Sequence, residues 1–334
     1  MENTIPSLPD LQENAHVVTL PMRVKFRGIL HREALVFRGP AGWGEFSPFP
    51  EYGDQEAAAW LAAGIEAAWE GYPEPVRSSV PVNGTVPAVG VEQVEKVLAR
   101  FGEVPAVKVK VAERGQSVAE DLARVAEVRR LLPNAGIRVD ANGGWDVGTA
   151  VGALEALAEA GLEYAEQPVG DIPGLRAVRL ELARRGIPVL VAADESVRKE
   201  TDPLLVARED AADLIIVKAA PLGGVRRALK VVAAAGLPAV VSSALDTSVG
   251  IRTGVALAAS LPELPYACGL GTLSLMEGDV TAEPLVPDGG ALPVRDVPVS
   301  LELLERCAAG PERRQWWLDR LERDIAQKVY SEFG

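Results

Sequence analysis

The chain has 334 residues with a net charge of −13, and 48% of its residues are hydrophobic. That length is enough to bury a large core, in one α/β domain or in two smaller ones. The acidic balance argues against nucleic acid or an anionic membrane surface as a partner. No apolar run approaches the ~18 residues of a membrane span. We therefore expect a globular protein with neither kind of partner.

Histidine and cysteine are scarce. His16 and His31 both lie near the N-terminus, which excludes a multi-histidine zinc site and disfavours a Ser-His-Asp triad in the later chain. Cys268 and Cys307 lie far apart, in no metal-binding spacing. Since no leader sequence precedes them, we expect reduced thiols in a cytoplasmic protein. Acid–base chemistry is then left to lysine, carboxylate or tyrosine side chains.

The first 80 residues predict a small α+β unit. Three short antiparallel strands come first, and an alanine-rich helix that ends at a glycine follows. The strands are expected at residues 17–20, 32–38 and 42–46, the helix at 54–71, and two prominent loops at 20–28 and 47–53. The first loop carries Arg23, Lys25 and Arg27.

From about residue 80 the chain repeats every 25 residues. Gly136, Gly161, Gly186 and Gly236 are each expected to close a helix and open a strand, because glycine readily ends a helix in the left-handed conformation. The gap between Gly186 and Gly236 is twice the repeat, and its midpoint near residue 211 has no glycine. Short apolar runs predict eight strands, near residues 82, 108, 138, 164, 191, 216, 240 and 267. Such a repeat favours a closed α/β barrel over an open doubly wound sheet.

The rhythm ends after residue 272. Residues 287–290 predict a turn. Residues 311–330 predict a helix whose apolar stripe packs against the N-terminal unit, and the stripe comprises Leu318, Leu321, Ile325 and Val329. The Pro-Leu-Gly-Gly run at 221–224 is interpreted as a turn in preference to a phosphate-binding loop.

Three carboxylates end successive strands of the predicted barrel. Asp140, Glu166 and Asp194 each follow apolar residues in a strand that should be buried on both faces. Buried carboxylates cannot lie together unless they are protonated or neutralised, and a hard cation such as Mg²⁺ suits oxygen ligands. The competing interpretation is that they are helix N-caps. We assign that role instead to a second set, which comprises Asp146, Asp171 and Glu195.

Lysines flank these carboxylates. Lys110 ends strand two and Lys218 ends strand six, on opposite sides of the proposed metal ligands. Lys108 shares a strand face with Lys110, and we expect it to pair with a carboxylate. A lysine beside a bound cation can remove the proton next to a carboxylate, because the cation stabilises the enediolate. The general pairing of a lysine base with Mg²⁺ is already known from the enolase superfamily.

The motifs together resemble the muconate-lactonizing subgroup of the enolase superfamily. They are Lys-Val-Lys at 108–110, Asp-Ala-Asn at 140–142, Glu-Gln-Pro at 166–168, Asp-Glu-Ser at 194–196, the lysine at 218 and Gly-Trp-Gly-Glu-Phe-Ser-Pro at 42–48. The resemblance implies a (β/α)₇β barrel, residues 80–282, with an α+β capping domain built from residues 1–79 and 283–334. It implies Asp140, Glu166 and Asp194 as Mg²⁺ ligands, with Mn²⁺ as an alternative, and Lys110 and Lys218 beside the substrate.

Within the subgroup, the segments at 22–28, 42–52 and 242–250 look most like the actinobacterial enzyme that dehydrates a cyclohexadiene carboxylate in menaquinone synthesis. That resemblance implies Lys110 as base and then acid, and Lys218 as a stabilising cation. Further residues are expected to support the site or to bind the substrate carboxylates. They are Asn142, Ser242, Ser243, Arg23 and Arg27.

Other activities stay open at this point. N-acylamino acid racemase would use both lysines as alternating bases, and muconate cycloisomerase is a third option. Dipeptide epimerases of the subgroup carry Asp-x-Asp on strand eight, whereas this chain reads Cys-Gly-Leu-Gly-Thr at 268–272. The alternative outside catalysis is a metal-binding pseudoenzyme.

Overall fold

The N-terminal part of the chain forms an antiparallel sheet in the computed structural model, which describes residues 6–26, 28–197 and 201–327. Its strands are β1, Ala15–Phe26, β2, Ile29–Gly39, and β3, Gly42–Phe46. The expected loop at 20–28 is therefore wrong for most of its length, because β1 continues through it and Phe26 pairs with Ile29. Residue 27 lies outside the described residues.

Two helices cover this sheet. Helix α1 is Leu8–Glu13, and α2 is Asp54–Ile65, which passes into a π-helical turn over Glu66–Glu70. The turn ends at Gly71, whose φ of 70° is left-handed, so the expected glycine stop is confirmed. One apolar cluster joins the inner face of the sheet to α2 and includes Leu35, Phe37 and Trp60.

Seven parallel strands follow. Short strand β4, Ser79–Pro81, comes first and is not one of them. The seven strands, which pair in chain order, are β5 Asn83–Val86, β6 Ala106–Lys110, β7 Gly136–Asp140, β8 Leu162–Glu166, β9 Leu190–Ala193, β10 Leu214–Val217 and β11 Ala239–Val241. Residues 268–269 close the barrel through two parallel bridges, Val82 to Cys268 and Ser242 to Gly269. The fold is therefore the expected (β/α)₇β barrel.

The helices between the strands form the outer layer. They are α3 Val94–Leu98, α4 Val118–Leu131, α5 Val147–Leu157, α6 Ile172–Arg185, α7 Asp202–Arg208, α8 Val225–Ala235 and α9 Ser248–Ser260. Three glycines of the 25-residue repeat have φ near 70° after a helix, as expected, at positions 161, 186 and 236. The prediction is wrong for Gly136, which opens β7 without a left-handed φ. Near residue 211, where the repeat lacks its glycine, Asp210 takes the left-handed conformation (φ 51°).

The C-terminal segment divides between the two parts of the molecule. Strand β12, Ala291–Pro293, pairs with β4 at the start of the barrel, after a turn with left-handed Gly289 and Gly290. Helix α10 is Leu301–Arg306, and the nitrogen of Thr19 on β1 donates to Cys307 O at 2.8 Å. Helix α11, Pro311–Ile325, packs on α2, so its stripe meets the N-terminal unit. Residues 328–330 of the expected helix lie outside the described residues.

Side chains alternate along each barrel strand, so every second one points into the barrel. The lower interior is filled by an apolar cluster that includes Tyr164, Leu214 and Ile216. Arg138 is fully buried there, 5.0 Å from the Tyr164 ring, and its Nε donates to Glu163 Oε2 at 2.7 Å. This filling leaves room for chemistry only at the carboxyl ends of the strands.

A buried polar network joins the capping sheet to the barrel. Glu45 Oε2 on β3 accepts from Thr247 N (3.2 Å), Thr247 Oγ1 (2.5 Å) and Gly250 N (3.0 Å) at the start of α9. Arg32 Nε donates to Leu245 O at 3.1 Å, and its Nη2 donates to Ser47 O. The network therefore fixes the loop after β11 against the loop after β3.

The loop at 221–224 is a turn, as interpreted. Its Gly224 has φ 119°, and the anion-binding start of α8 is occupied by Glu66 from the capping unit. The Glu66 carboxylate accepts from the nitrogens of Val225 and Arg226. Among the described residues, no helix has the length and apolar character needed to cross a membrane.

We predict that Gly44→Ala destabilises the protein by about 1–3 kcal/mol. A methyl group there would lie 2.8 Å from the carbonyl carbon of Gly64, so β3 and α2 must separate. Gly152→Ala on α5 is the matched control, since its methyl meets nothing within 4 Å and alanine favours a helix by up to ~1 kcal/mol. Urea unfolding measures both. Equal midpoints for the two variants would contradict the close packing.

We also predict that Glu45 makes stability depend on pH. Burial and the charge of Asp246 raise the pKa of Glu45 from 4.5 to about 7. The folded state therefore holds a proton that the unfolded state loses, and stability falls as pH rises from 4.5 to 7. Glu45→Gln should flatten this fall in melting temperature between pH 5 and 8, whereas exposed Glu209→Gln should not. A wild-type slope in Glu45→Gln would disprove the assignment.

Candidate active site

The predicted site residues come together at the carboxyl ends of the barrel strands. Lys110 lies beside Asp140, and Asp140 beside Glu166, as direct partners in the pairing of β6, β7 and β8. Asp194 follows β9 and Lys218 follows β10 directly. The 24–30-residue spacing therefore places all five side chains at one mouth, because each unit returns the chain to the same end of the barrel.

Lysines and carboxylates are paired throughout this cluster. Lys108 Nζ lies 2.7 Å from Glu166 Oε1 and 3.1 Å from Asp140 Oδ2. Lys110 forms an ion pair with Asp140, and Lys218 forms one with Asp194. Lys108 is thus paired with carboxylates, as expected, and the two outer lysines lie on opposite sides of the three acids.

The electrostatics of the cluster differ from residue to residue. Burial and the neighbouring Asp140 charge raise the pKa of Glu166 well above its usual range, although Lys108 opposes the shift. Burial also acts against ionisation of Asp140, but Lys110 and Lys108 outweigh it and hold its pKa below the usual range. Burial works against the charge of Lys108, yet Glu166 and Asp140 raise its pKa well above 10.5. Burial therefore outweighs the nearby lysine for Glu166, whereas two lysines outweigh burial for Asp140.

The donor set suits a hard divalent cation. Asp140, Glu166 and Asp194 are at most 8% exposed and present only carboxylate oxygens. Glu166 Oε2 is buried and has no hydrogen-bond partner among the described residues. As the side chains stand, no group of three acids, cysteines or histidines in the described part of the chain is arranged to hold a metal ion. Lysine ammonium groups lie against these oxygens instead.

Residues expected to support the site divide into two groups. Asn142 Oδ1 accepts from Lys110 Nζ at 2.7 Å, so this amide lies beside the outer lysine. Ser242 and Ser243 line the same cavity, and the Ser243 hydroxyl lies 2.6 Å from that of Thr272. Arg23 lies elsewhere, since it lines a separate groove and its Nε donates to Met276 O at 2.8 Å. Arg27 falls outside the described residues.

The capping interpretation holds for two of the three remaining acids. Asp146 accepts from Thr149 N and Asp171 from Gly174 N, each at 2.8 Å, as N-caps of α5 and α6. Glu195 is the exception, because its side chain lines the cavity and accepts from Asn142 Nδ2 at 2.9 Å. Its position directly after Asp194 was the signal that could have placed it there.

Sequence reasoning missed a residue that holds the third carboxylate in place. Gln167 is fully buried, and its Oε1 accepts from Asp194 N at 2.9 Å and from Ser196 N at 3.2 Å. Its Nε2 donates to Val169 O at 2.8 Å, and its φ is 40°. The Glu-Gln-Pro motif contained this residue, but only the fold shows that its amide spans two strand ends.

The capping unit forms the outer wall of the cavity. It contributes four side chains, Phe49, Tyr52, Glu56 and Trp60. Arg32 lies 4.4 Å from the Phe49 ring centre, so the network between cap and barrel also supports this wall. The cavity volume is only ≈ 60 Å³, whereas small-molecule sites span about 300–1,000 Å³. Substrate entry therefore requires the lysine side chains or the wall to move.

Comparison with known proteins gives the same architecture. Residues 17–68 match the family model for an enolase N-terminal domain-like region, and residues 90–298 match that for an enolase C-terminal domain-like region. The muconate lactonizing enzyme of Pseudomonas putida has a similar structure, with a TM-score of 0.72. It is 22% identical over 89% of this chain and 98% of its own, which shows the fold alone.

Curated relatives are much closer in sequence. The o-succinylbenzoate synthase of Mycolicibacterium smegmatis is 53% identical over 96% of this chain and 98% of its own length. That of Thermobifida fusca is 54% identical over 87% of this chain and 90% of its own. The chain therefore belongs to the o-succinylbenzoate synthase family of the enolase superfamily.

Proposed function

We propose that this protein is an o-succinylbenzoate synthase. The reaction is the syn-dehydration of 2-succinyl-6-hydroxy-2,4-cyclohexadiene-1-carboxylate to 2-succinylbenzoate, in menaquinone biosynthesis. Relatives above 50% identity over nearly their whole length support it. The observation that carries it is the placement of Lys110 and Lys218 on either side of three buried carboxylates. The free thiols of Cys268 and Cys307 suit a cytoplasmic enzyme.

Asp140, Glu166 and Asp194 would hold the divalent cation, which we propose to be Mg²⁺, with Mn²⁺ as a substitute. When bound, the cation supplies positive charge beside the substrate carboxylate and so favours loss of the adjacent proton. Glu166 Oε2 supports this role because it is buried without a hydrogen-bond partner among the described residues.

Lys110 is proposed as the base. Its neutral amine takes the proton from the ring carbon that bears the carboxylate, and electron density moves into an enediolate. The resulting ammonium then donates the same proton to the departing hydroxyl group, water leaves and the ring becomes aromatic. Asn142, whose Oδ1 lies 2.7 Å from Lys110 Nζ, positions the amine. One group serves both transfers because both occur on one face of the ring.

Lys218 is proposed as the stabilising cation. It lies on the opposite side of the carboxylates, paired with Asp194. A positive charge there favours the enediolate and can lie against the ring face. Because elimination produces an aromatic ring, the protein needs to supply mainly position and charge.

N-acylamino acid racemase activity is the second candidate. It is favoured by one observation, that Lys110 and Lys218 both line the cavity and lie on opposite sides of the acids. Two such lysines could alternate as bases.

Incubation with Mg²⁺ and the cyclohexadiene substrate should give the absorbance of the aromatic product if the protein is a dehydratase. Proton–deuterium exchange on N-acylamino acids without any dehydration would instead favour the racemase.

We predict that Lys110→Ala lowers kcat/KM for dehydration by about 10³-fold, the usual contribution of a general acid–base residue. The protein should still fold and bind Mg²⁺, as circular dichroism and calorimetry would measure. Lys230→Ala, on an exposed position of α8, is the control and should keep normal turnover. Near-normal turnover in Lys110→Ala would refute the base assignment.

We predict that a chelator abolishes dehydration and that Mg²⁺ restores it. Mg²⁺ at about 100 times its Kd should also stabilise the fold by about 2–3 kcal/mol, because it binds only the assembled site. Asp194→Asn should lose most of this stabilisation. Asp146→Asn keeps an N-cap of α5 outside the cavity and serves as the control. Equal Mg²⁺ stabilisation of both variants would rule Asp194 out as a ligand.

A further inference from the structure

A second and larger cavity lies at the seam between barrel and cap, with a volume of ≈ 690 Å³. Its walls come from strand β1, from the loop after α3, from residues 273–287 and from helix α10. That volume is within the range of about 300–1,000 Å³ that small-molecule sites occupy. The proposed dehydration makes no use of it.

Two hydrogen-bond donors at this cavity lack a partner among the described residues. Ser274 is 8% exposed, and its buried hydroxyl makes no hydrogen bond. Arg100 Nη1 is likewise buried and unsatisfied. Buried polar groups are nearly always paired, so two unpaired donors on residues that line one cavity are available to an acceptor from outside the chain, either water or a ligand.

The residues that line this cavity carry a net positive charge, which favours an anionic ligand. Arg23, Arg100 and Arg306 all line the cavity, and the acids there are Glu277 and Asp279. Asp279 Oδ1 accepts from Ser248 N at 3.0 Å and from Val280 N at 2.8 Å, so this carboxylate is bonded to the start of α9. Three arginines against two acids leave the lining net positive, and guanidinium groups bind carboxylate and phosphate oxygens well.

The rest of the lining is apolar, which favours an anion that also carries an apolar group. Phe101, Leu273, Met276, Val286 and Leu303 line the same cavity. A bare inorganic ion would leave this apolar surface in contact with water, whereas an alkyl or aryl chain would cover it. We propose that the cavity is a binding site for an organic anion, with an oxyanion head on Arg100 and Ser274 and an apolar body against these side chains.

The site shares one structural element with the catalytic cavity. The 3₁₀ segment Gly271–Leu275 places Thr272 in the wall of the catalytic cavity and Leu273 and Ser274 in the wall of this one. The two sites are nevertheless separate, because the catalytic lysines and carboxylates do not line the second cavity.

Calorimetric titration of the Mg²⁺-loaded protein tests the proposal, with hexanoate as the probe. Acetate has the carboxylate without the long alkyl chain, and 1-hexanol has the alkyl chain without the carboxylate. We expect one hexanoate site per chain and at least tenfold weaker binding of both analogues. Inorganic phosphate should compete, since it shares the oxyanion chemistry. Absence of hexanoate binding, or equal binding of acetate or 1-hexanol, would overturn the proposal.

Variants then locate the site. Arg100→Gln and Ser274→Ala should each weaken hexanoate at least fivefold, and Ser274→Ala loses no internal hydrogen bond that could affect folding. Arg208→Gln changes an exposed arginine of α7 and should bind like the wild type. Lys110→Ala should also retain binding. If Lys110→Ala abolishes it while Arg100→Gln does not, the probe occupies the catalytic cavity and the second site is refuted, whatever the outcome for the dehydration.

Discussion

The structure depends on how three buried carboxylates are neutralised at one barrel mouth. Asp140, Glu166 and Asp194 cannot all be ionised side by side in a low-dielectric site unless positive charge is near. Lys108 lies between two of the acids, and Lys110 and Lys218 pair with the outer ones. Burial and the charge of Asp140 raise the pKa of Glu166, and we propose that a divalent cation would supply the positive charge that this carboxylate lacks.

The capping unit turns this charged mouth into an enclosed site. Its sheet is attached to the barrel by Glu45, whose carboxylate accepts from the first turn of α9, and by Arg32, which holds one loop from each side. Phe49 lies on that arginine and faces the cavity. The outer wall of the cavity is therefore positioned by buried hydrogen bonds, while the charged residues below it are positioned by the strands.

The sequence predicted the barrel and the placement of five charged residues at its strand ends, because each of these residues ends an apolar run with regular spacing. It failed where long-range pairing decides the structure. The loop expected at 20–28 became strand because β2 was available to pair with it, and residues 79–86 divided between two sheets. Gln167 and Arg32 could not be placed from sequence, since their hydrogen-bond partners lie in another βα unit or across the seam between cap and barrel.

If Lys110 removes the proton beside the substrate carboxylate, as we propose, that proton transfer should limit the chemical step. Single-turnover dehydration with excess enzyme measures that step without interference from product release. The substrate would be compared with its isotopologue carrying deuterium on the ring carbon that bears the carboxylate. We expect clearly slower formation of the aromatic product from the deuterated substrate. Equal rates for the two substrates would contradict this proposal.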